Sequence, residues 1–198
     1  MKVSVILAHP RQGSFNHAIA ETAVQTLQAN GHTVKYHDLY TEGFEPVVPG
    51  AELSKGASLA PAIRRHCDEI SEADGIVIVH PNWWGQPPAV LKGWIDRVIR
   101  VGVAYKFAEG DSGEGVPIGL LKAQMALVFT TSDTPRERER AVFGDPLETI
   151  WKNCIFKFCG VEKFYRKNYE VIVTSTPEQR KAWLEDVRQT VQAYFARH

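Results

Sequence analysis

Residues 3–16 read VSVILAHPRQGSFN, and their change of character fixes the frame for the rest of the chain. Val3 to Ala8 is a short β-branched run without polar alternation, the pattern of a strand buried on both faces. His9 to Asn16 turns abruptly polar, with a proline and a glycine. Ile19, Ala20, Ala23, Val24 and Leu27 then recur at helical spacing until Asn30-Gly31 supplies a stop, so a helix is predicted over about residues 16–30.

The same alternation repeats outward from this unit. His32 to Leu39 reads as a second strand, and a Gly/Pro-containing stretch from Tyr40 to Ala60 as a long excursion. Pro61 starts a helix with Ile63, Cys67 and Ile70 inward, followed by a third buried strand, Gly75 to Val79. Leu91, Trp94, Ile95 and Val98 form the apolar stripe of the next helix, with Lys92, Asp96 and Arg97 facing outward. After a polar, glycine-rich loop over 101–117 comes a fourth strand, Ala126 to Thr131, and then the charged turn SDTPRERERAVFGDP. Pro146 to Phe158 reads as a helix, YEVIV (Tyr169 to Val173) as the fifth strand, and Pro177 opens a last helix with Trp183, Leu184, Val187, Val191, Tyr194 and Phe195 on one face. Five strands alternating with helices predict one α/β domain over 1–198, a doubly wound five-stranded parallel sheet of flavodoxin-like order 2-1-3-4-5.

Composition narrows the function classes. Lys plus Arg (23) equal Asp plus Glu (23), so no global field favours nucleic acid or an anionic membrane. The apolar run at the N-terminus is short and ends in His9-Pro10, a poor signal peptide, so a cytoplasmic location is expected. Cys67, Cys154 and Cys159 lack paired zinc-site spacing and read as reduced core residues; no two histidines sit at helical i, i+4 ligand spacing, so no metal is expected.

In a doubly wound sheet ligands bind beyond the carboxyl ends of the strands, where the strand order reverses. The loop after Ala8 offers Ser14, Asn16 and backbone amides at a helix N-terminus, a place that favours phosphate, with His9 and Arg11 adding positive charge. It lacks both the GxGxxG pattern and the Walker lysine. The loop after Val79, HPNWWGQPP, sets Trp83 and Trp84 between residues that stiffen the backbone, a wall suited to a flat conjugated ligand, with a hydrophobic plug or an oligomer contact as the other reading. Thr130, Thr131, Ser132 and Asp133 add hydroxyls and amides from the adjacent strand. The alternating Arg136, Arg138 and Arg140 read as a self-paired helix face, with contact to an NADPH phosphate as the other reading.

In order along nearly the whole chain, LAHPRQGSFN (7–16), DLY (38–40), Pro81 and Trp84, LKGWIDRV (91–98), AYKF (104–107), Thr130-Thr131 and FCG (158–160) resemble the flavodoxin-like NAD(P)H:quinone oxidoreductases. The resemblance implies a flavoprotein, with FMN favoured over FAD because the chain lacks a C-terminal extension and has a shortened excursion. It implies ping-pong hydride transfer from NADPH or NADH through flavin N5 to a quinone or nitroaromatic acceptor. His9, Ser14, Phe15 and Asn16 would bind the phosphate and ribityl chain; Pro81, Asn82, Trp83, Trp84 and Gly85 the ring edge; Thr130, Thr131, Ser132 and Asp133 the pyrimidine side. No side chain is assigned as catalytic. Trp84, Tyr105, Phe107 and Phe158 would line the substrate pocket, the last three across a homodimer interface. Gly85 and Ser132-Asp133 depart from the mammalian pattern, and the mammalian Tyr and His relay has no counterpart, Phe143 aligning near that histidine. The alternatives are a regulatory flavoprotein subunit with a membrane ion-efflux partner, and a one-electron carrier like flavodoxin, against which the balanced charge argues.

Overall fold

The computed structural model describes residues 1–54, 56–111 and 113–196. Strands β1 (Lys2–Leu7), β2 (Thr33–Asp38) and β3 (Gly75–Pro81) are linked by helices α1 (Phe15–Ala29) and α2 (Pro61–Glu72). Helix α3 (Ala89–Val98) leads to a two-stranded antiparallel ribbon, β4 (Tyr105–Lys106) with β5 (Ile118–Gly119), before β6 (Met125–Ser132). Helices α4 (Arg136–Arg138) and α5 (Pro146–Thr149) each run on into wider π-helical turns, Glu139–Phe143 and Ile150–Lys157; β7 (Lys163–Glu170) and α6 (Pro177–Tyr194) follow.

The main sheet has five strands, all paired in parallel, in the order β2-β1-β3-β6-β7. The expected 2-1-3-4-5 numbering misses the ribbon, which inserts two short strands into the glycine-rich segment after α3. Side chains alternate between two cores. Val3, Val5 and Leu7 pack under α1 and α6 with Ile19, Leu27 and Val187, while Ile6, Ile78 and Val128 pack on the other face with Ile70, Trp94 and Trp151. Strands β3 and β6 are buried throughout, which explains their apolar runs.

Three expectations are corrected. The fifth strand is Lys163–Glu170, so YEVIV supplies only Tyr169 and Glu170 to it. This edge strand carries Lys163, Arg166 and Lys167, charges that protect an open edge and disguise the strand in the sequence. Arg97 is buried, not outward: its guanidinium pairs with Glu52 and donates to the Glu45 carbonyl at 2.6 Å, clamping the 40–60 excursion onto α3. Beside it a Cβ on Gly93 would lie 2.3 Å from the Pro46 carbonyl oxygen, which is why LKGWIDRV has a glycine inside a helix. Cys154 is exposed, whereas Cys67 and Cys159 are core thiols that burial pushes up to about 11.

Candidate functional site: a cleft at the β1/β3 switch point

Three strand ends converge on a cleft of about 370 Å³. At the first, Ser14 is the N-cap of α1 and its hydroxyl accepts the backbone N–H of His17. The N–H groups of Phe15 and Asn16, ahead of His17 in the first turn, lack carbonyl partners by construction, and with the helix dipole they favour an anion. His9, Ser14, Phe15 and Asn16 all line the cleft, joined by Arg11, Gly13 and Ala18. His9 Nδ1 accepts the Arg11 N–H at 3.2 Å, and burial lowers the pKa of this imidazole below its ordinary value, which disfavours the positive charge expected of it.

Asn16 is the most informative side chain. Its amide nitrogen donates to Thr131 Oγ1 at 2.9 Å, which ties α1 to β6, while its Oδ1 is buried with no hydrogen-bond partner. Flipping the amide only moves the deficit to the nitrogen. A buried polar atom left unpaired costs about 1–3 kcal/mol, a cost that a ligand group pairing with this amide would relieve.

The second strand end carries the tryptophans. Trp83 and Gln86 exchange both backbone hydrogen bonds at 3.0 Å, closing a two-residue turn at Trp84-Gly85. Both turn residues have positive φ, 58° and 70°, as a type I′ turn requires. Asn82 Oδ1 caps the turn by accepting the Gly85 N–H at 3.0 Å, and the Asn82 N–H donates to the Thr131 carbonyl at 2.7 Å. A Cβ at Gly85 would lie 2.7 Å from Pro146, so an aromatic residue is excluded there and the tip rests against α5. Pro81, Asn82 and Trp83 line the cleft; Trp84 stands fully exposed at the tip, and Gly85 lies behind it. His80, wholly buried beneath the loop, faces the Pro81 carbonyl through Nδ1 at 2.8 Å and accepts the Trp151 indole N–H at 2.9 Å, a pairing satisfied by the neutral ring. Burial drives its pKa down to about 4.

The third end contributes Thr131, Ser132 and Asp133, while Thr130 points away to Asn168 and Arg166. Asp133 accepts the Val173 N–H at 2.8 Å and so holds the segment after β7 over the cleft. Ile172 and Arg180 enter the lining from that side; Arg180 is fixed by bonds to Ser175 Oγ (2.8 Å) and the Ile172 carbonyl (3.1 Å). Both escaped the sequence reading because YEVIV was read as strand, although the capping box at Thr176 marks where the chain turns back. Tyr105, Phe107 and Phe158 lie outside this lining. They form their own cluster, with Tyr105 ring centroids 5.8 Å from Phe107 and 4.9 Å from Phe158, where the ribbon crosses the FCG segment. Asn82 also borders a second hollow, of about 530 Å³, between β7 and residues 136–149. There Arg136 pairs with Glu170, and Arg166 with Asp145 and Glu148, so most of these cations are already partnered.

Residues distant in sequence also bring His37, Glu42 and His66 within ligand reach of one another. The hydrogen bonds argue for a polar network instead. Trp94 donates its indole N–H to His66 Nδ1 at 3.2 Å, which places the His66 hydrogen on Nε2, toward Glu42, and leaves no lone pair there for a cation.

With this geometry in place, comparison with known proteins is decisive. Residues 1–195 match the family model described as flavodoxin-like fold. The chain belongs to this family. It is 35% identical over 194 residues to a Haemophilus influenzae protein named an uncharacterized NAD(P)H oxidoreductase, covering 96% of this chain and 93% of that one. It is 32% identical over 206 residues to the rat ribosyldihydronicotinamide dehydrogenase [quinone], covering 92% and 87%. The solved NAD(P)H:quinone oxidoreductase from Methanothermobacter marburgensis superposes with a TM-score of 0.84 at 24% identity, covering 100% of this chain and 98% of that one, a likeness of fold. Among the described residues, no helix is long and apolar enough to cross a membrane.

Proposed function

We propose that the chain is a flavin-dependent NAD(P)H:quinone oxidoreductase that binds FMN in the switch-point cleft. The observation that carries the reading is the buried Asn16 Oδ1, unpartnered beside the N-cap of α1 and across from the tryptophan turn. An anion site, an orphaned acceptor and an apolar wall in one cleft suit a phosphate, a polyhydroxyl chain and a flat ring in that order. Support also comes from the relatives, whose names specify NAD(P)H or quinone chemistry.

Bound flavin supplies the two-electron hydride chemistry; the protein's part is binding, orientation and electrostatics. Ser14 and the first amides of α1 hold the phosphate. Asn16 and Thr131 take the ribityl hydroxyls, the orphaned Oδ1 accepting one of them. Pro81, Asn82 and Trp83 set one edge of the ring, with Gly85 shaping the turn behind them. Thr131 to Asp133 would flank the other, Thr130 being committed to Asn168 and Arg166. No titratable side chain is required for hydride transfer, and the open side of the cleft would admit NADPH or NADH and then a quinone or nitroaromatic in turn. Trp84, left bare at the turn, completes the slot together with Tyr105, Phe107 and Phe158 in a homodimer.

Incubation of the protein with FMN and with FAD, followed by desalting and mass analysis of what is retained, tests this. FMN retention is expected, weakened in Trp84→Ala. Retention of neither flavin removes the reading, and a Trp84→Ala protein with normal retention and turnover removes that residue from the site.

A further inference from the structure

The DLY stretch has no place in the cleft lining, yet Asp38 is wired to it. Ser14 Oγ lies 2.8 Å from His17 Nδ1, and His17 Nε2 lies 3.3 Å from Asp38 Oδ2. Ser14 and His17 are buried, and Asp38 nearly so. Asp38 is surrounded by donors: the backbone N–H groups of Tyr40 (3.2 Å) and Thr41 (3.3 Å) on one oxygen, the Thr41 hydroxyl (2.6 Å) and the Gln12 amide (3.2 Å) on the other. Burial alone would raise this carboxyl, but the hydrogen bonds from Thr41 and Gln12 outweigh it and hold it below the usual carboxylate range.

An ionised Asp38 only accepts, so His17 Nε2 carries a hydrogen. Two arrangements remain at the other nitrogen. With neutral His17, Nδ1 is a bare acceptor and takes the Ser14 hydrogen; Ser14 Oγ then turns a lone pair toward any anion at the helix N-terminus. With both ring hydrogens present, Nδ1–H donates to Ser14 Oγ, which also accepts the His17 backbone N–H, and the hydroxyl hydrogen is released to point into the cleft.

We infer that Asp38, His17 and Ser14 form a proton-linked relay in which His17 acts as a positioning residue, so that binding of the flavin phosphate is coupled to uptake of one proton on the imidazole. The inference rests on the flavin reading above. The proton comes from solvent and resides on Nδ1, and no bond other than N–H is made. The other charged or titratable groups around the relay are His9, 6.2 Å from the His17 ring between centroids, Arg11 acting on His9, and Tyr36 beside Asp38, Glu21 and Glu42. Because a phosphate dianion favours the arrangement with both ring hydrogens, affinity falls as pH rises wherever the FMN phosphate is dianionic, by up to about tenfold per unit.

The test is calorimetric titration with FMN, and with riboflavin as the phosphate-free probe, at about pH 8 in buffers of different ionisation enthalpy, where the FMN phosphate is already dianionic. The wild type is expected to take up close to one more proton per FMN than His17→Asn, whose side-chain amide can donate to Ser14 without protonation, and riboflavin is expected to show no such difference. Asp38→Asn provides an independent arm: its amide donates to Nε2, neutral His17 then carries its hydrogen on Nδ1, and FMN binds without the extra proton. This variant decides the matter if His17→Asn fails to fold. FMN binding with equal proton uptake in wild type and variants overturns the relay alone, as does an equal difference with riboflavin. A wild type that binds neither flavin overturns the flavin reading and the relay with it.

Discussion

Replacing Asn16 with leucine separates what this residue does for the fold from what it does for the ligand. Leucine has nearly the shape of asparagine but neither polar atom. In the free protein the substitution loses the 2.9 Å hydrogen bond to Thr131 and leaves that buried hydroxyl without its partner, a cost of about 1–3 kcal/mol. It also removes the buried, unpaired Oδ1, which costs about 1–3 kcal/mol. The two terms offset each other, so the flavin-free variant should lie within about 2 kcal/mol of the wild type, a change of at most several degrees in Tm for a chain of this size. In the complex the balance tips against leucine, because the ligand donor that would have satisfied Oδ1 is desolvated without a partner. FMN affinity should fall at least about tenfold, since about 1.4 kcal/mol is a factor of ten. Thermal melts of the apo proteins and quenching of flavin fluorescence on titration measure the two effects separately. A variant destabilised by more than about 2 kcal/mol that binds FMN normally would refute the reasoning, because Asn16 would then be an ordinary structural bridge.

Two further outcomes follow from buried charge and buried imidazole. Arg97→Ala leaves Glu52 in the core with only Arg100, 3.8 Å away, and should cost about 3 kcal/mol in chemical denaturation; Arg97→Met with Glu52→Leu should recover most of that loss, and a single variant within about 0.5 kcal/mol of wild type contradicts the clamp. His80 has a folded value of about 4 against an ordinary 6.5, so between these limits the unfolded chain binds more protons, and stability rises with pH across that window and is lost as pH falls through it. The full difference is about 3 kcal/mol; denaturation at several pH values should show it reduced by that much in His80→Gln relative to wild type, and identical pH slopes in the two proteins would count against a neutral buried ring. His66, also driven to about 4 by burial and by neighbouring His37, contributes with the same sign and cancels in the comparison.

The legible parts of the sequence were those where one physical demand dominated. Strands β1, β3 and β6 must be apolar on both faces, and Ser14 must cap α1; each leaves a local signature. What the sequence hid was set by long-range pairing. Arg97 looks solvated on a helical wheel because its buried partner, Glu52, lies in an excursion with no periodicity of its own. Strand β7 looks like loop because an edge strand is half-exposed and benefits from charge. That misplacement concealed Ile172 and Arg180. The paired tryptophans were legible as a site but not as a shape: Trp83 faces the cleft and Trp84 the solvent because both central turn residues have positive φ.

The central claim is that the switch-point cleft holds a flavin that takes electrons from a nicotinamide and gives them to a quinone. Its most direct test is the visible absorbance of the purified protein loaded with FMN, recorded under anaerobic conditions before NADPH or NADH is added, after it, and again after a quinone. The account expects flavin bands near the ones that protein-bound oxidised flavin displays, bleached by the nicotinamide and restored by the quinone. Flavin bands that neither nicotinamide bleaches, or a protein that takes up no flavin, would contradict it.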